Sequence, residues 1–307
     1  MTLSVAAIAL SPSLDVTYVV EELTGIQRPT QVVKVGGGKA LNAARAASRM
    51  GAVVDAVALL GGGAGHDVAA FARADGVTVH VVEGEMPTRT CVSVLSAATG
   101  ELTEIYEHAV AVSPGELAAV SARAAALTHE APRWWLLSGG LPPSVGAEAI
   151  SDLVGSLSGG GSRVALDTHG AALTAGVEAG PALVKVNRAE AASLLELDGA
   201  ASDLAARLAE RCQTLAVVTD GEAGAYACDG RSTWQVRLDA RRGSYPVGSG
   251  DAFLGGMVAA LAQDSMVPTA LAQGAAAGWA NAQQPGAGCF DGAQALTMAE
   301  RVEVRTV

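Results

Sequence analysis

The chain has 307 residues, half of them hydrophobic, and its 20 Lys and Arg against 31 Asp and Glu leave a net charge of −11. That length and apolar content suit one large α/β domain or two smaller ones, while the acidic balance argues against nucleic acid, whose phosphates reward a basic face. Cys91, Cys212, Cys228 and Cys289 are far apart and form no CxxC pair, so buried thiols in a reducing cytoplasm are expected, not disulfides or a zinc site.

The opening Met1-Thr2-Leu3-Ser4-Val5 has no basic segment or long apolar run, and no stretch reaches a membrane span, so neither a signal peptide nor a membrane partner is expected. Ser4–Leu10 reads as a buried strand ending in a turn at Ser11-Pro12-Ser13, with β-rich pieces near Val16–Leu23 and Thr30–Val35. From Lys39 the period becomes helical and runs to Met50, where Gly51 stops it. A strand at Val53–Leu60, a helix at His66–Asp75 and a strand at Val77–Glu83 continue in βαβ order, the mark of a largely parallel sheet.

The alternation then pauses. Arg89–Ala97 and Glu101–Glu107 read as a hairpin turning at Ala98-Thr99-Gly100, a small β-flap off the main sheet that the strands near 16–35 can join. Ser113-Pro114 opens a helix, and strands follow at Arg133–Leu137, Arg163–Asp167, Ala182–Val186 and Thr214–Thr219, each followed by helical sequence. Trp234 falls in a hairpin between Tyr226 and Leu238, and helices at Asp251–Ala262 and Pro268–Ala282 close the chain. There is no P-loop, no GxGxxG, no HExxH and no GxSxG, and the five histidines have no ligand spacing.

Two glycine-rich entries into helices carry the chemistry. Gly248-Ser249-Gly250-Asp251 precedes an apolar helical run, so small residues let N–H groups converge where the helix dipole adds positive charge. Asp251 sets a carboxylate beside that anion cradle, the pairing needed to move a phosphoryl group onto a hydroxyl. Gly36-Gly37-Gly38-Lys39-Ala40-Leu41-Asn42 is the second entry, presenting Lys39 and Asn42 in the first turn, with Arg45 and Arg49 continuing the face as a basic edge.

These motifs, in this order, resemble the ribokinase-like sugar kinases, specifically the phosphofructokinase-B group. Asp15 in Ser11–Thr17, Ser138-Gly139-Gly140-Leu141-Pro142, the Asp167–Gly170 turn, Lys185-Val186-Asn187-Arg188-Ala189-Glu190 and Thr219-Asp220-Gly221-Glu222-Ala223-Gly224 resemble further elements of its 1-phosphofructokinase and tagatose-6-phosphate kinase branch. The resemblance spans about residues 5 to 292 and implies a three-layer α/β/α fold over residues 1–307, with a central, mostly parallel sheet. It also implies a β-sheet lid built from about 11–35 and 87–108.

By resemblance, Asp251 is the base and the N–H groups of Gly248, Ser249 and Gly250 form the anion hole. Asp15, Gly37, Gly38 and Asn42 bind the sugar. Lys185, Asn187, Thr219, Gly221, Gly224 and Asn281 line an ATP site, and Glu190 serves Mg²⁺. Arg89, with Lys39 and Ser138, is the candidate clamp for a phosphate already on the sugar. A monovalent cation such as K⁺ is a further candidate cofactor, and lid pairing implies a homodimer. Ala40, Ser11, Gly140, Asp220 and His169 depart from the branch's pattern at the sugar and nucleotide pockets. The expected reaction is ATP-dependent phosphorylation of a sugar phosphate. The rivals are a kinase of an unphosphorylated sugar or nucleoside and a non-catalytic sugar-phosphate binder.

Overall fold

The computed structural model describes residues 3–241 and 243–307, so the opening Met1-Thr2 lies outside it. Strands β1 (Ser4–Ala9), β2 (Ser13–Val20) and β3 (Gln31–Gly37) lead into α1 (Lys39–Arg49). β4 (Val54–Leu60), α2 (Gly62–Ala74), β5 (Val77–Glu83), β6 (Arg89–Ser96) and β7 (Leu102–Tyr106) follow. Helix and strand then alternate through α3 (Pro114–Glu130), β8 (Arg133–Ser138), α4 (Glu148–Gly159), β9 (Arg163–Asp167), α5 (Gly170–Glu178) and β10 (Leu183–Asn187). After α6 (Arg188–Leu195), α7 (Ala201–Cys212) and β11 (Leu215–Thr219), a single 3-10 turn leads to β12 (Ala225–Cys228) and β13 (Thr233–Arg237). The last elements are α8 (Ser249–Ala262), α9 (Val267–Asn281), α10 (Gly292–Ala299) and β14 (Glu303–Thr306).

Ten strands form one sheet in the order β14-β13-β12-β11-β10-β9-β8-β1-β4-β5, parallel from β11 to β5 and antiparallel at the β12–β14 edge. Its central strands are apolar on both faces because helices cover both. In β1, Val5 and Ala7 pack towards α1, α2, α8 and α9, while Ala6 and Ile8 pack towards α3, α4, α5 and α7. The result is the expected three-layer α/β/α arrangement.

Alanine and glycine let the helices of the first layer approach closely. A Cβ on Gly255 would stand 2.2 Å from the Ala43 carbonyl oxygen, and one on Gly256 would stand 2.7 Å from the Ala277 methyl. The helix entries α1 and α8 are therefore held side by side, which is what brings the two glycine motifs together. A four-stranded sheet, β3-β2-β6-β7, joins the segments read as the flap, through a parallel pairing of β2 with β6 that hairpin logic alone does not supply.

Three local readings are corrected. The second helix starts at Gly62 instead of His66, because its glycine-rich entry is packed tightly against the chain before β6: a Cβ on Gly61 would meet the Met86 carbonyl at 2.1 Å. Only the 3-10 turn, not a helix, follows β11. The chain does not close at the helix ending near residue 282: Asp291 accepts from the Gln294 N–H to cap α10, and β14 pairs with β13. All four cysteines are free thiols, with Cys91 and Cys228 buried and the other two partly so.

Candidate active site

Gly248 caps α8 in the left-handed region (φ +81°), where a Cβ would also press on the Ala287 methyl at 2.5 Å. This turn aims the helix N-terminus at a cavity of about 390 Å³ between the two sheets. Asp251 lies in the first turn of α8, is 6% exposed and faces this cavity. Its Oδ2 accepts a hydrogen bond from Asn42 Nδ2 at 3.0 Å, joining the two glycine motifs directly. Burial, with the Asp167 charge added, pushes the Asp251 carboxyl up to about 7, against the Asn42 hydrogen bond and the Lys39 and Lys185 charges. A carboxylate poised there can take a proton near neutral pH.

Of the three N–H groups expected to form an anion hole, one is engaged within the protein. The Ser249 N–H donates to the Pro246 carbonyl at 3.1 Å and is spent. Gly248 and Gly250 remain: among the described residues, neither N–H meets an acceptor. Lys185 lies close by, since a Cβ on Gly250 would lie 3.5 Å from its Nζ.

Lys185 is nearly fully buried and donates to Asp167 Oδ2 at 2.6 Å, and Lys39 Nζ stands 3.8 Å from the other Asp167 oxygen. Burial pulls the Lys39 ammonium down, but the Asp167, Asp251 and Glu190 carboxylates outweigh it and hold the group above its ordinary value. Lys39 is therefore a fixed cation on the cavity wall. Asp167, noticed in the sequence only as part of a turn, joins both lysines; its position at a strand end pointing into the sheet's C-terminal crevice was the available signal.

Asp15 lines the same cavity from β2. Burial raises its carboxyl above the usual range despite Ser13, Arg45, Arg89 and the Gly38 backbone, and Ser13 Oγ donates to it at 2.5 Å. Gly37 is needed for this placement, because a Cβ there would sit 2.0 Å from the Asp15 carboxyl carbon. Gly38 (φ +91°) caps α1 and lines the wall. Asn42 reaches the cavity too, but its amide is engaged by Asp251 and Arg45, a different placement from a side chain held open for sugar hydroxyls. Cys91 and Tyr106, which the sequence did not single out, complete the wall on the small-sheet side.

Arg89 stands between this cavity and a second of about 310 Å³, with Gly38 and Lys39 shared by both. Ser138 lies in the second cavity. Arg89 donates from its terminal nitrogens to the carbonyls of Glu107 at 3.1 Å and Ser11 at 3.3 Å. Its Nε is buried without a partner, as are Ser138 Oγ and Ser11 Oγ.

Asn187 and Glu190 form a reciprocal cap on α6, with Glu190 Oε2 accepting from the Asn187 N–H at 2.8 Å. Both line the larger cavity, with Thr219 beside them. Gly221 and Gly224 form the turn beyond Thr219, and Gly224 is required by packing, since a Cβ would meet the Val236 carbonyl at 2.1 Å. Asn281 is corrected most clearly: only 1% exposed, it donates to the Val247 carbonyl and Ser249 Oγ and accepts from the Gly288 N–H. It ties the turn ahead of α8 to Gly288 from behind and is not among the residues lining the cavity. Arg45, expected on a basic edge, is 1% exposed and wholly internal.

A family profile for pfkB family carbohydrate kinases matches residues 4–291. The chain belongs to the pfkB carbohydrate kinase family. It is 32% identical over 290 residues to a 1-phosphofructokinase of Rhodobacter capsulatus, covering 90% of this chain and 91% of that one. It is 28% identical to the ATP-dependent 6-phosphofructokinase isozyme 2 of Escherichia coli, over 88% of this chain and 90% of that one. The solved structure of Escherichia coli phosphofructokinase-2 in complex with potassium superposes with a TM-score of 0.89 at 26% identity, covering 97% and 98% of the two chains. This carbohydrate kinase is thus an ATP-dependent enzyme.

Proposed function

We propose that the kinase transfers the γ-phosphoryl group of ATP to a hydroxyl of a sugar that already carries a phosphate, a ketohexose phosphate such as fructose 1-phosphate, or fructose or tagatose 6-phosphate. The observation that carries this reading is that Ser11, Ser138 and Arg89, each with a buried and unpartnered polar atom (Oγ, Oγ and Nε), line one cavity together with Lys39. Each such group costs about 1–3 kcal/mol left unpaired, and three donors with a cation suit a ligand rich in anionic oxygen. An unphosphorylated sugar offers only neutral hydroxyl acceptors, whose bonds to such donors are about half as strong as those of an anionic oxygen.

The acceptor then spans both cavities. Its phosphate lies against Arg89, Ser138 and Lys39, and its hydroxyls meet Asp15 and the Gly37-Gly38 backbone. The free alcohol reaches Asp251, which takes its proton as the oxygen attacks the γ-phosphorus and ADP departs. The Gly248 and Gly250 N–H groups, with Lys39 and Lys185, stabilise the charge gathered on the moving group; one such donor is typically worth about 3 kcal/mol. ATP occupies the side walled by Lys185, Asn187 and Thr219, over the Gly221–Gly224 turn.

Among the described residues, no cluster of three or more His, Cys, Asp or Glu could hold a metal alone. Glu190 offers hard oxygen on the cavity wall, a donor set that fits Mg²⁺ keeping most of its shell as water and nucleotide phosphate. Mg²⁺ there would neutralise charge between the β- and γ-phosphates. K⁺ is carried over as a bound cation because the Escherichia coli neighbour is in complex with potassium, and rate comparison in potassium and sodium salts tests whether it serves this enzyme. The four-stranded sheet serves as a lid, and its exposed Val32 and Ile105 support pairing with a second copy as a homodimer. Free cysteines and dependence on ATP support a cytoplasmic location.

The test of the acceptor is Arg89→Ala. The Michaelis constant for the phosphorylated sugar rises by at least about 10-fold, the worth of a hydrogen bond to a charged group, while that for ATP stays put. Equal shifts in both, or none in either, would refute the clamp.

A further inference from the structure

Arg45 sits on α1 one turn after Asn42, and its guanidinium has no solvent face, being 1% exposed. Each nitrogen goes to a different part of the site. One terminal nitrogen donates to the Gly36 carbonyl, at the end of β3 just ahead of Gly38 and Lys39. The other donates to the Ala287 carbonyl at 2.7 Å and to Asn42 Oδ1 at 3.4 Å. Nε donates to Asp75 Oδ2 at 2.5 Å, at the C-terminal cap of α2, and Asp75 is steadied by Arg49 at 2.8 Å.

A guanidinium has donors and no acceptor. The end of the Asn42 amide that faces it must therefore be the oxygen, which turns the amide nitrogen onto Asp251 Oδ2 at 3.0 Å. Were the amide reversed, its oxygen would face an ionised carboxylate and its NH₂ would face the guanidinium, two repulsive contacts in place of two hydrogen bonds. The same guanidinium spans from Gly36, on the acceptor side, to Ala287, whose methyl packs under Gly248 on the anion-hole side. Burying a charge this deeply is costly unless every donor is matched; Asp75 supplies the opposite charge, and Asn42 is the partner that touches Asp251.

We propose that Arg45 is a positioning residue for phosphoryl transfer: it locks Asn42 with its nitrogen towards the base and ties the end of β3, on the acceptor side, to the loop at Ala287 behind Gly248. The inference rests on Asp251 being the base. Asp251 is also faced by Asp167 from β9, Lys39 from α1 and Lys185 from β10. A test must leave those charges in place and should not remove a cation, so Arg45→Lys is the informative change. Lysine keeps the charge but cannot serve the Gly36, Ala287, Asn42 and Asp75 acceptors from a planar fork.

In steady-state assays by ADP release, Arg45→Lys lowers kcat by at least about 10-fold and leaves the Michaelis constants for ATP and sugar phosphate within about two-fold. It also moves the acid limb of the kcat/KM profile to higher pH, because the ionised carboxylate loses its Asn42 donor. Asp75→Asn, which leaves the guanidinium in place and loosens only its outer anchor, shifts kcat and the acid limb the same way to a smaller extent. It decides the matter if Arg45→Lys does not fold. A lowered melting temperature with kcat and acid limb unchanged in both folded variants would mean a merely structural role and overturn the proposal. A wild-type enzyme inactive on every sugar phosphate would instead overturn the reading beneath it.

Discussion

Asp251→Asn keeps the side chain's volume and an oxygen to accept from Asn42 while removing the charge, so it isolates what the buried carboxylate costs the fold. The carboxyl titrates near 3.8 in the ordinary case and about 7 in the folded enzyme. That gap of about 3 units, at about 1.4 kcal/mol per unit, means the ionised form destabilises the fold by about 4 kcal/mol. Because the folded value lies above the unfolded one, the folded state holds the extra proton between them. Wild-type stability is therefore undiminished by this group below pH 3.8, erodes as pH rises and bears the full cost above pH 7. Asparagine has no such dependence. Urea unfolding of both proteins from about pH 4 to pH 8 should show the variant gaining on the wild type by up to about 4 kcal/mol across that window. Its turnover at neutral pH should meanwhile fall roughly 10²–10⁴-fold. A stability difference that stays flat with pH, or turnover that survives, would show that Asp251 is not a strained, buried base.

Other consequences are independent of that cycle. The wild-type kcat/KM should lose about tenfold per pH unit below about 7 as Asp251 becomes protonated; a limb near pH 4 would contradict the burial argument. Gly37→Ala drives a methyl into the Asp15 carboxyl and should raise the acceptor Michaelis constant with little effect on that of ATP, read from two-substrate kinetics. Gly250→Val fills the space between the anion hole and Lys185 and should abolish ADP release while circular dichroism reports an intact fold. Asn281→Ala leaves the Gly288 N–H and Val247 carbonyl unpaired behind the anion hole, and should lower kcat and the melting temperature together.

The parts of the site that were legible in sequence are those built from backbone logic. Glycine before an amphipathic or apolar helix announces an N-terminus and an anion cradle, and the residues in the first turn, Lys39, Asn42 and Asp251, then fall where a helix must put them. That Asn42 and Asp251, 209 residues apart, meet at 3.0 Å depends on α1 lying against α8, which the small residues of both helices permit but do not announce. Arg45 escaped because helical spacing says which residues share a face, not what comes to cover that face. Gly36 comes from the end of β3 just before the helix, but Asp75 and Ala287 arrive from remote places. That the Ser249 N–H is spent within the protein follows from a turn closing on Pro246, a detail of loop geometry without a sequence signature. α10 is short, and β14 is mostly exposed, with no alternating apolar pattern to mark it.

The central claim is that the cavity lined by Ser11, Ser138, Arg89 and Lys39 takes a phosphate already on the acceptor. ADP release measured on one plate with ATP and Mg²⁺, across ketohexose 1- and 6-phosphates and their unphosphorylated parents, addresses it directly. Turnover should be confined to a phosphorylated ketohexose and lost in Asp251→Asn. Faster turnover of a free sugar or nucleoside, or none on any sugar phosphate, would contradict it.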